Sequence, residues 1–385
     1  MATKLTALNL AAVKEAYTLI KPKIWKTPVY KSAILSHTIS SAIFRKDNIG
    51  ATGVPKINVF FKCENLQKTG SFKFRGASHF LARQNDRALR NGLVTYSTGR
   101  YYPHALFSQL VWYGLNLANG YMQGNHGIAL AQAAAYESEE RGFPIPLTVI
   151  MSKSADRGKI SMIEKLGATV SACYSTMEAC AVQAEELQRK AGLTLVPTSG
   201  HCHVVLGQGT VMLEFQQQVA GLGEKPLDAV IVPIAGGALL AGTALVCQEA
   251  SSRIDVFGAE PLEGGPSLLQ GRQRGRRIDT LRPKKSTIAD GLRCLVAKSN
   301  WDILRSKTHV RDVFPVADSE ILTAMRLILE GTKQLVEPSA AVPLAALLFN
   351  KRLHSNLALR NGPLNVGIIL SGGNTSVERL LSLFT

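Results

Sequence analysis

Short Val/Ile-rich runs alternate with helix-length stretches through this chain, and that alternation most narrows what it can fold into. Residues 92–97 read as a strand, and 125–141 read as an Ala-rich helix. The run 147–151 precedes a helix over 159–166, 168–173 precedes one over 177–191, and 228–234 precedes one over 239–250. Strand then helix, repeated, implies crossover connections, which make parallel neighbours covered by helices on both faces. The fold class is therefore α/β, with open, twisted, mostly parallel sheets. At 385 residues the chain exceeds what one hydrophobic core usually fills, so two domains with a cleft between them are expected.

Composition excludes several classes. Hydrophobic residues make up 46% and charged residues 19%, and no apolar run is long enough to span a bilayer, so no membrane partner is expected. The start, Met1-Ala2-Thr3-Lys4-Leu5, lacks a secretory apolar stretch, which makes the cytoplasm the default. Cys63, Cys173, Cys180, Cys202, Cys247 and Cys294 are scattered without a C-x-x-C pair, as reduced thiols are. His201-Cys202-His203 looks like a ligand cluster, but successive residues of an extended segment face opposite ways, so at most two converge and no metal is expected. The formal charge of +16 is densest at Arg272, Arg274, Arg276, Arg277, Arg282, Lys284 and Lys285. That run holds one acid, Asp279, and no aromatic residue for base stacking, so it reads as a solvated loop and no nucleic-acid partner is expected. A basic surface still draws in anionic ligands.

In open parallel sheets ligands sit at the carboxyl ends of strands, which directs attention to the strand-to-helix turns. Lys68-Thr69-Gly70-Ser71-Phe72-Lys73 follows the apolar run Val59-Phe60-Phe61-Lys62-Cys63, and Gly70 and Ser71 supply turn and N-cap chemistry for a helix through Arg75 and Ala77. Lys73 then projects from a helix start, where partial burial disfavours the ammonium and favours an amine nucleophile. By itself it reads more readily as a solvated lysine. The other turns are Ser97-Thr98-Gly99, Pro233-Ile234-Ala235-Gly236-Gly237-Ala238 and Leu370-Ser371-Gly372-Gly373-Asn374. The turn at 235–238 opens a helix after a Val/Ile strand, so its amides and the helix dipole suit a phosphate dianion, although small residues there also serve close packing. An amine nucleophile with a phosphate cradle points to pyridoxal 5'-phosphate, which needs a lysine for its aldehyde and an anion site for its phosphate.

Several further motifs fall in a recognisable order. Thr27-Pro28-Val29, Phe61-Lys62-Cys63-Glu64-Asn65-Leu66-Gln67, the lysine motif from Ser71 to Ala77, Gly207-Gln208-Gly209-Thr210, Ala259-Glu260-Pro261, Ala289-Asp290-Gly291, Glu337-Pro338-Ser339-Ala340-Ala341 and Ser371-Gly372-Gly373-Asn374 together resemble the fold type II pyridoxal phosphate enzymes, specifically the serine/threonine dehydratase and serine racemase group. The likeness covers nearly the whole chain. Lys73-Phe74-Arg75 follows the dehydratase pattern, where cysteine and threonine synthases carry Lys-Asp-Arg.

The resemblance implies a tryptophan synthase β-like architecture. Residues 1–91 and 201–385 would form the large cofactor domain and 92–200 the small one, in a homodimer. Lys73 would join the cofactor aldehyde and act as general base. Ala235, Gly236, Gly237 and Ala238 would hold the phosphate, where relatives carry four glycines, so weaker binding or a different loop is expected. Ser371 would meet the pyridine nitrogen, Asn125 would lie beside the cofactor's 3'-oxygen, and Ser97, Thr98, Gly99 and His126 would bind the substrate. The implied reaction is β-elimination from L-serine, L-threonine or a related 3-hydroxy amino acid to a 2-oxo acid and ammonia. Racemisation needs a proton donor on the opposite face of Cα, and Thr98 stands where racemases place a serine. A β-replacement synthase of the same fold is a further alternative.

One departure bears on activity. Relatives run the small-residue turn straight into Asn-His-Gly, but here residues 100–124, with Tyr101, Tyr102, Trp112, Tyr113 and Tyr121, separate Gly99 from Asn125. A retained intron translated in frame and a real insertion that blocks the substrate loop both account for it. The insertion reading gives a catalytically impaired relative. Some relatives bind a divalent ion through the Glu260 position and a carboxylate six residues on, which here is Pro266, so no such ion is expected. The chain ends at Thr385, soon after Asn374, so no appended regulatory domain is expected.

Overall fold

The structure is a computed structural model that describes residues 7–44, 56–97, 124–152, 157–173, 177–249, 253–280, 285–360 and 362–384. In chain order its elements begin α1 (Leu10–Ile20), β1 (Val29–Ser32), α2 (Ala33–Phe44), β2 (Ile57–Cys63), α3 (Lys73–Ala82), α4 (Asp86–Asn91), β3 (Leu93–Ser97), α5 (Asn125–Arg141) and β4 (Leu147–Ser152). They continue α6 (Arg157–Lys165), β5 (Thr169–Cys173), α7 (Met177–Ala191), β6 (Thr194–Leu195), α8 (Cys202–Gly221), β7 (Ala229–Pro233), α9 (Ala238–Gln248), β8 (Asp255–Pro261) and α10 (Ser267–Arg274). The last are α11 (Trp301–Arg305), β9 (Asp312–Val316), α12 (Asp318–Thr332), α13 (Pro338–Phe349), α14 (Lys351–Ala358), β10 (Leu364–Leu370) and α15 (Val377–Phe384).

The described residues fall into two compact units, one drawn from the chain up to Ala82 and from Ser199–Gly373, the other from Arg83–Thr198 and Asn374–Thr385. The sequence reading gave 374–385 to the larger domain. They group with the second unit, where Asn374 Nδ2 donates to Asn125 Oδ1 at 2.7 Å. In the first unit six strands run in the order β1-β2-β10-β7-β8-β9, with β1 antiparallel to β2 and the remaining pairs parallel. Each residue of β7, β8 and β10 is buried, and β7 accordingly reads as an unbroken apolar run rather than an alternating one. The second unit holds a parallel sheet in the order β5-β4-β3-β6.

Helix α8 is the spine of the first unit, packed against α1, α3 and α9. Its approach to α3 requires glycine on both sides. A Cβ at Gly207 would stand 2.7 Å from the Arg75 carbonyl oxygen, and one at Gly76 would stand 2.3 Å from Gln208 Nε2. Toward α9 the same holds, since a Cβ at Gly242 would stand 2.5 Å from the Gly209 amide nitrogen. The helix that opens with Lys73 and the helix that opens after Gly237 are thus seated on one spine at backbone distance.

Beside that contact lies a buried ion network. Arg75 Nε and Nη2 donate to the two Glu64 carboxylate oxygens at 2.8 Å each, and Nη2 and Nη1 donate to Glu214 at 2.8 and 3.0 Å. Lys62 Nζ donates to Glu214 at 2.8 Å, to the Thr27 carbonyl at 2.7 Å and to Gln218 at 2.7 Å. Arg75, Glu64, Glu214 and Lys62 are at most 1% exposed, so each charge depends on its partners. Burial raises the Glu64 carboxyl pKa, but the Arg75 guanidinium outweighs it and holds the group below the ordinary carboxylate range.

The basic run holds local partners. Arg277 donates to the Val296 carbonyl at 3.0 Å and pairs with Asp279, while Arg272 reaches the Arg311 carbonyl at 3.4 Å.

Candidate functional site

The turn before α3 is stitched to the turn after β10. Ser71 and Gly372 form an antiparallel bridge, Phe72 N–H donates to the Ser371 carbonyl at 3.1 Å, and Gly373 N–H donates to the Gly70 carbonyl at 2.9 Å. Gly70 takes φ 69°, the left-handed conformation that lets the chain double back. Gly372 must be bare because Glu337 Oε1 and Ser71 Cβ lie 2.8 and 3.2 Å from where its Cβ would be. Glu337 N–H in turn donates to the Gly372 carbonyl at 3.1 Å. Lys73 and Ser371 are therefore held in register by backbone hydrogen bonds.

Ser71 does not cap the helix as the sequence predicts. The bridge to Gly372 turns its side chain away, and the first helical amides, of Phe74 and Arg75, bond instead to the carbonyls of Ser71 and Phe72 at 3.4 and 3.0 Å. The Ser71 hydroxyl is buried without a partner among the described residues. Lys73 opens α3 with its Nζ 5.4 Å from the centre of the Phe72 ring. Burial pushes its amine pKa below the ordinary lysine range, opposed by the nearby Cys294 and Glu337.

The second turn opens a helix whose first amides no side chain caps. Gly237 takes φ 88° and ψ 0° as the N-cap of α9, and a Cβ at Gly237 would meet Leu304 Cδ1 at 2.3 Å. A Cβ at Gly236 would stand 1.9 Å from Ser199 Oγ. The Gly236 carbonyl is turned out of the way, accepting from Ala297 N–H at 3.1 Å and from Asn300 Nδ2 at 2.8 Å, and Asn300 Nδ2 also donates to the Ser199 carbonyl at 3.1 Å. Ala235 and Ala238 avoid positive φ, so the backbone cost expected of alanine there does not arise. Cys294 joins the two turns. Burial pushes its thiol pKa up, opposed by the nearby Lys73 and the Gly236 backbone.

The second unit carries the remaining predicted residues. Ser97 ends β3, and its Oγ accepts from Gly127 N–H at 3.3 Å in the first turn of α5. Thr95 Oγ1 donates to the Val196 carbonyl at 2.8 Å, so its 3.0 Å bond to His126 Nε2 is one in which the imidazole donates. His126 is thereby fixed as a strut between strand and helix. Gly124 is the N-cap of α5 and Asn125 its first residue. Thr98, Gly99 and residues 100–123 lie outside the described residues.

These features fit pyridoxal phosphate. A buried amine of lowered pKa, an orphaned buried hydroxyl at Ser71, and a helix start where two glycines leave no room for a Cβ match an aldehyde bearing a phosphate. The family's divalent-ion position does not fit a cation. Both Glu260 oxygens accept amides, from Leu268 at 2.9 Å and Leu269 at 3.0 Å, and burial raises the carboxyl to about 7. Pro266 offers no side-chain donor. Sequence reasoning missed Ser199, Cys294 and Asn300, which act on the cradle from distant segments and carry no local pattern.

Comparison with known proteins bears on the same residues. The family described as "Pyridoxal-phosphate dependent enzyme" matches residues 120–372. A serine racemase of Arabidopsis thaliana is 32% identical over 378 residues, covering 98% of this chain and 96% of its own. An L-threo-3-hydroxyaspartate ammonia-lyase of a Pseudomonas species is 32% identical over 326 residues, covering 84% and 87%. The solved structure of maize serine racemase superposes with a TM-score of 0.77 at 30% identity, covering 98% of this chain and 97% of that one.

Proposed function

This chain belongs to the pyridoxal-phosphate dependent enzyme family, and we propose that within it the protein catalyses β-elimination of L-serine, L-threonine or a related 3-hydroxy amino acid, releasing a 2-oxo acid and ammonia. The observation that carries this reading is the hydrogen-bonded pairing of the Lys73 turn with the Ser371 turn, which presents an amine and a neutral hydroxyl together. The cofactor, when bound, supplies an aldehyde that joins amines and a ring that draws electron density from Cα. The amides of the turn at 235–238 hold its phosphate, at a helix start free of side-chain caps. Ser371 would meet the ring nitrogen with a hydroxyl, which, unlike a carboxylate, would not hold that nitrogen protonated. A weaker electron sink favours departure of a β-substituent over long-lived charge at Cα. Lys73 Nζ, whose burial disfavours the ammonium form, takes the Cα proton. The β-hydroxyl leaves as water, and hydrolysis of the enamine product gives the 2-oxo acid and ammonia. The start of α5, pinned by Ser97 and His126 and opened by Asn125, suits the substrate carboxylate.

Serine racemisation is the second reading, favoured by the 32% identical plant racemase, with Thr98 as the opposing proton donor. The same proposal makes the protein a cytoplasmic homodimer. Its six cysteines are all free, as in a reducing compartment, and among the described residues no helix is long and apolar enough to cross a membrane.

The test is to supply the purified holoenzyme with L-serine, L-threonine and L-threo-3-hydroxyaspartate while measuring 2-oxo acid, ammonia and the D-enantiomer. Equal release of 2-oxo acid and ammonia is expected. D-serine without 2-oxo acid transfers the assignment to racemase. Cofactor binding with neither product defeats both readings and makes the 100–124 insertion the first segment to delete.

The Lys73 amine predicts a pH signature. Only the neutral amine attacks an aldehyde, and burial lowers the pKa from 10.5. Stopped-flow capture of pyridoxal phosphate by the cofactor-stripped protein is therefore expected to quicken as pH rises and to level off below pH 10.5. A rate still climbing there marks a solvated lysine and contradicts the burial argument.

A further inference from the structure

The His201-Cys202-His203 segment departs from its sequence expectation in a way that carries chemistry. Alternating faces apply to extended chain, and this chain is extended only at His201, with φ −148° and ψ 141°, before Cys202 begins α8. The bend into the helix brings all three side chains to one side. Their ligand atoms lie within 4.8 Å of one another, with Cys202 Sγ 3.8 Å from His201 Nδ1 and 3.9 Å from His203 Nδ1. In a tetrahedral zinc site, Zn–S near 2.3 Å and Zn–N near 2.0–2.1 Å put sulfur and nitrogen about 3.6 Å apart. The two sulfur–nitrogen edges are already within a few tenths of an ångström of that.

We propose that His201, Cys202 and His203 form a binding site for one borderline-soft divalent metal ion, such as Zn²⁺, with a fourth position open to water. The set of one sulfur and two nitrogens selects zinc-like ions over Mg²⁺ and Ca²⁺, which prefer oxygen. The rings are held in place from α3. Phe80 stands edge-on to His201 with centroids 5.0 Å apart, and His79 stands edge-on to His203 at 5.4 Å. His79 Nδ1 also donates to the His203 carbonyl at 2.7 Å, fixing the backbone beneath the ligand. All three ligand residues are part-exposed, so an ion has a path in. One bond opposes binding, the 3.1 Å cap from His203 N–H to His201 Nδ1, which the metal displaces. On binding, the Cys202 thiol releases its proton to solvent and its sulfur lone pair enters the metal bond.

Two readouts on the holoenzyme test this without reference to turnover. Titration with Co²⁺ is expected to saturate at one equivalent, with the visible bands of tetrahedral, thiolate-ligated cobalt, and Cys202→Ser is expected to lose the thiolate band. Peptide-resolved alkylation needs no variant. Zn²⁺ at one equivalent is expected to slow modification of Cys202 by about tenfold or more, while excess Mg²⁺ leaves it unchanged. Cobalt spectra identical in wild type and Cys202→Ser, or Cys202 alkylation indifferent to Zn²⁺, overturn the proposal.

Discussion

Lys73→Ala is expected to abolish turnover, lowering kcat by at least roughly 10³-fold, because the substitution removes the group proposed to take the Cα proton and to anchor the cofactor. The loss is expected to be chemical rather than structural. The turn before α3 is held by backbone hydrogen bonds between Gly70, Ser71, Phe72 and the Ser371–Gly373 segment, none of which uses the lysine side chain. The variant should therefore keep its melting temperature and still take up cofactor through the 235–238 cradle, without the absorption of the lysine-bound form. Lys73→Arg separates charge from nucleophilicity, since guanidinium stays protonated and forms no adduct with an aldehyde. Residual elimination within tenfold of wild type in either variant would reassign the base.

The largest effect on stability is expected at Arg75. Its guanidinium pairs with Glu64 and Glu214 where all three are almost fully buried, so Arg75→Met leaves two buried carboxylates to share the single charge of Lys62. Breaking such a network from one side costs about 3–5 kcal/mol. In a unit of this size that corresponds to a fall in Tm on the order of 10 °C. The sign of its pH dependence follows from Glu64. With Arg75 present the folded carboxyl pKa lies below its ordinary value. With Arg75 gone, burial is opposed only by Lys62 and Thr27, and the folded pKa moves up. The deficit should then be full at neutral pH and shrink as the pH falls through the carboxylate range. Adding Glu64→Gln should recover part of the loss, by calorimetry or denaturant melts. An Arg75→Met deficit below about 1 kcal/mol would mean that the network is wet.

That network explains why the resemblance was visible along the chain. Thr27, Lys62, Glu64, Arg75 and Thr210 come from four of the motifs, and the structure brings them to one buried cluster beside the α3–α8 contact. Much of the recognisable pattern thus reports the support of the lysine helix rather than the chemistry. Helix and strand positions were legible because apolar period and turn residues are local, and α5 and α7 have the bounds the sequence predicts. What was illegible came from non-local geometry. The bridge that takes Ser71 out of capping, the Asn300 amide that turns the Gly236 carbonyl aside, and the Cys294 thiol under the cradle all depend on segments far away in sequence. At His201 the error was one of backbone shape, because the extended-chain rule fails where a helix begins.

The sheet order of the first unit also sets when this site can exist. β10, residues Leu364–Leu370, is the last in chain order among the described strands, yet it lies inside the sheet between β2 and β7. While the chain is being synthesised, β2 can pair with β1 but has no parallel neighbour, and the lysine turn has no Ser371–Gly373 segment to bond with. Closing that gap joins residues about three hundred positions apart, a slow step because the chain entropy is lost before the contacts form. The apolar flank of β2 therefore stays an open edge until the final residues emerge, the interval in which such a chain is most exposed to aggregation. The pairing of the lysine turn therefore waits for β10, and a chain truncated before β10 would lack an interior strand rather than a dispensable tail.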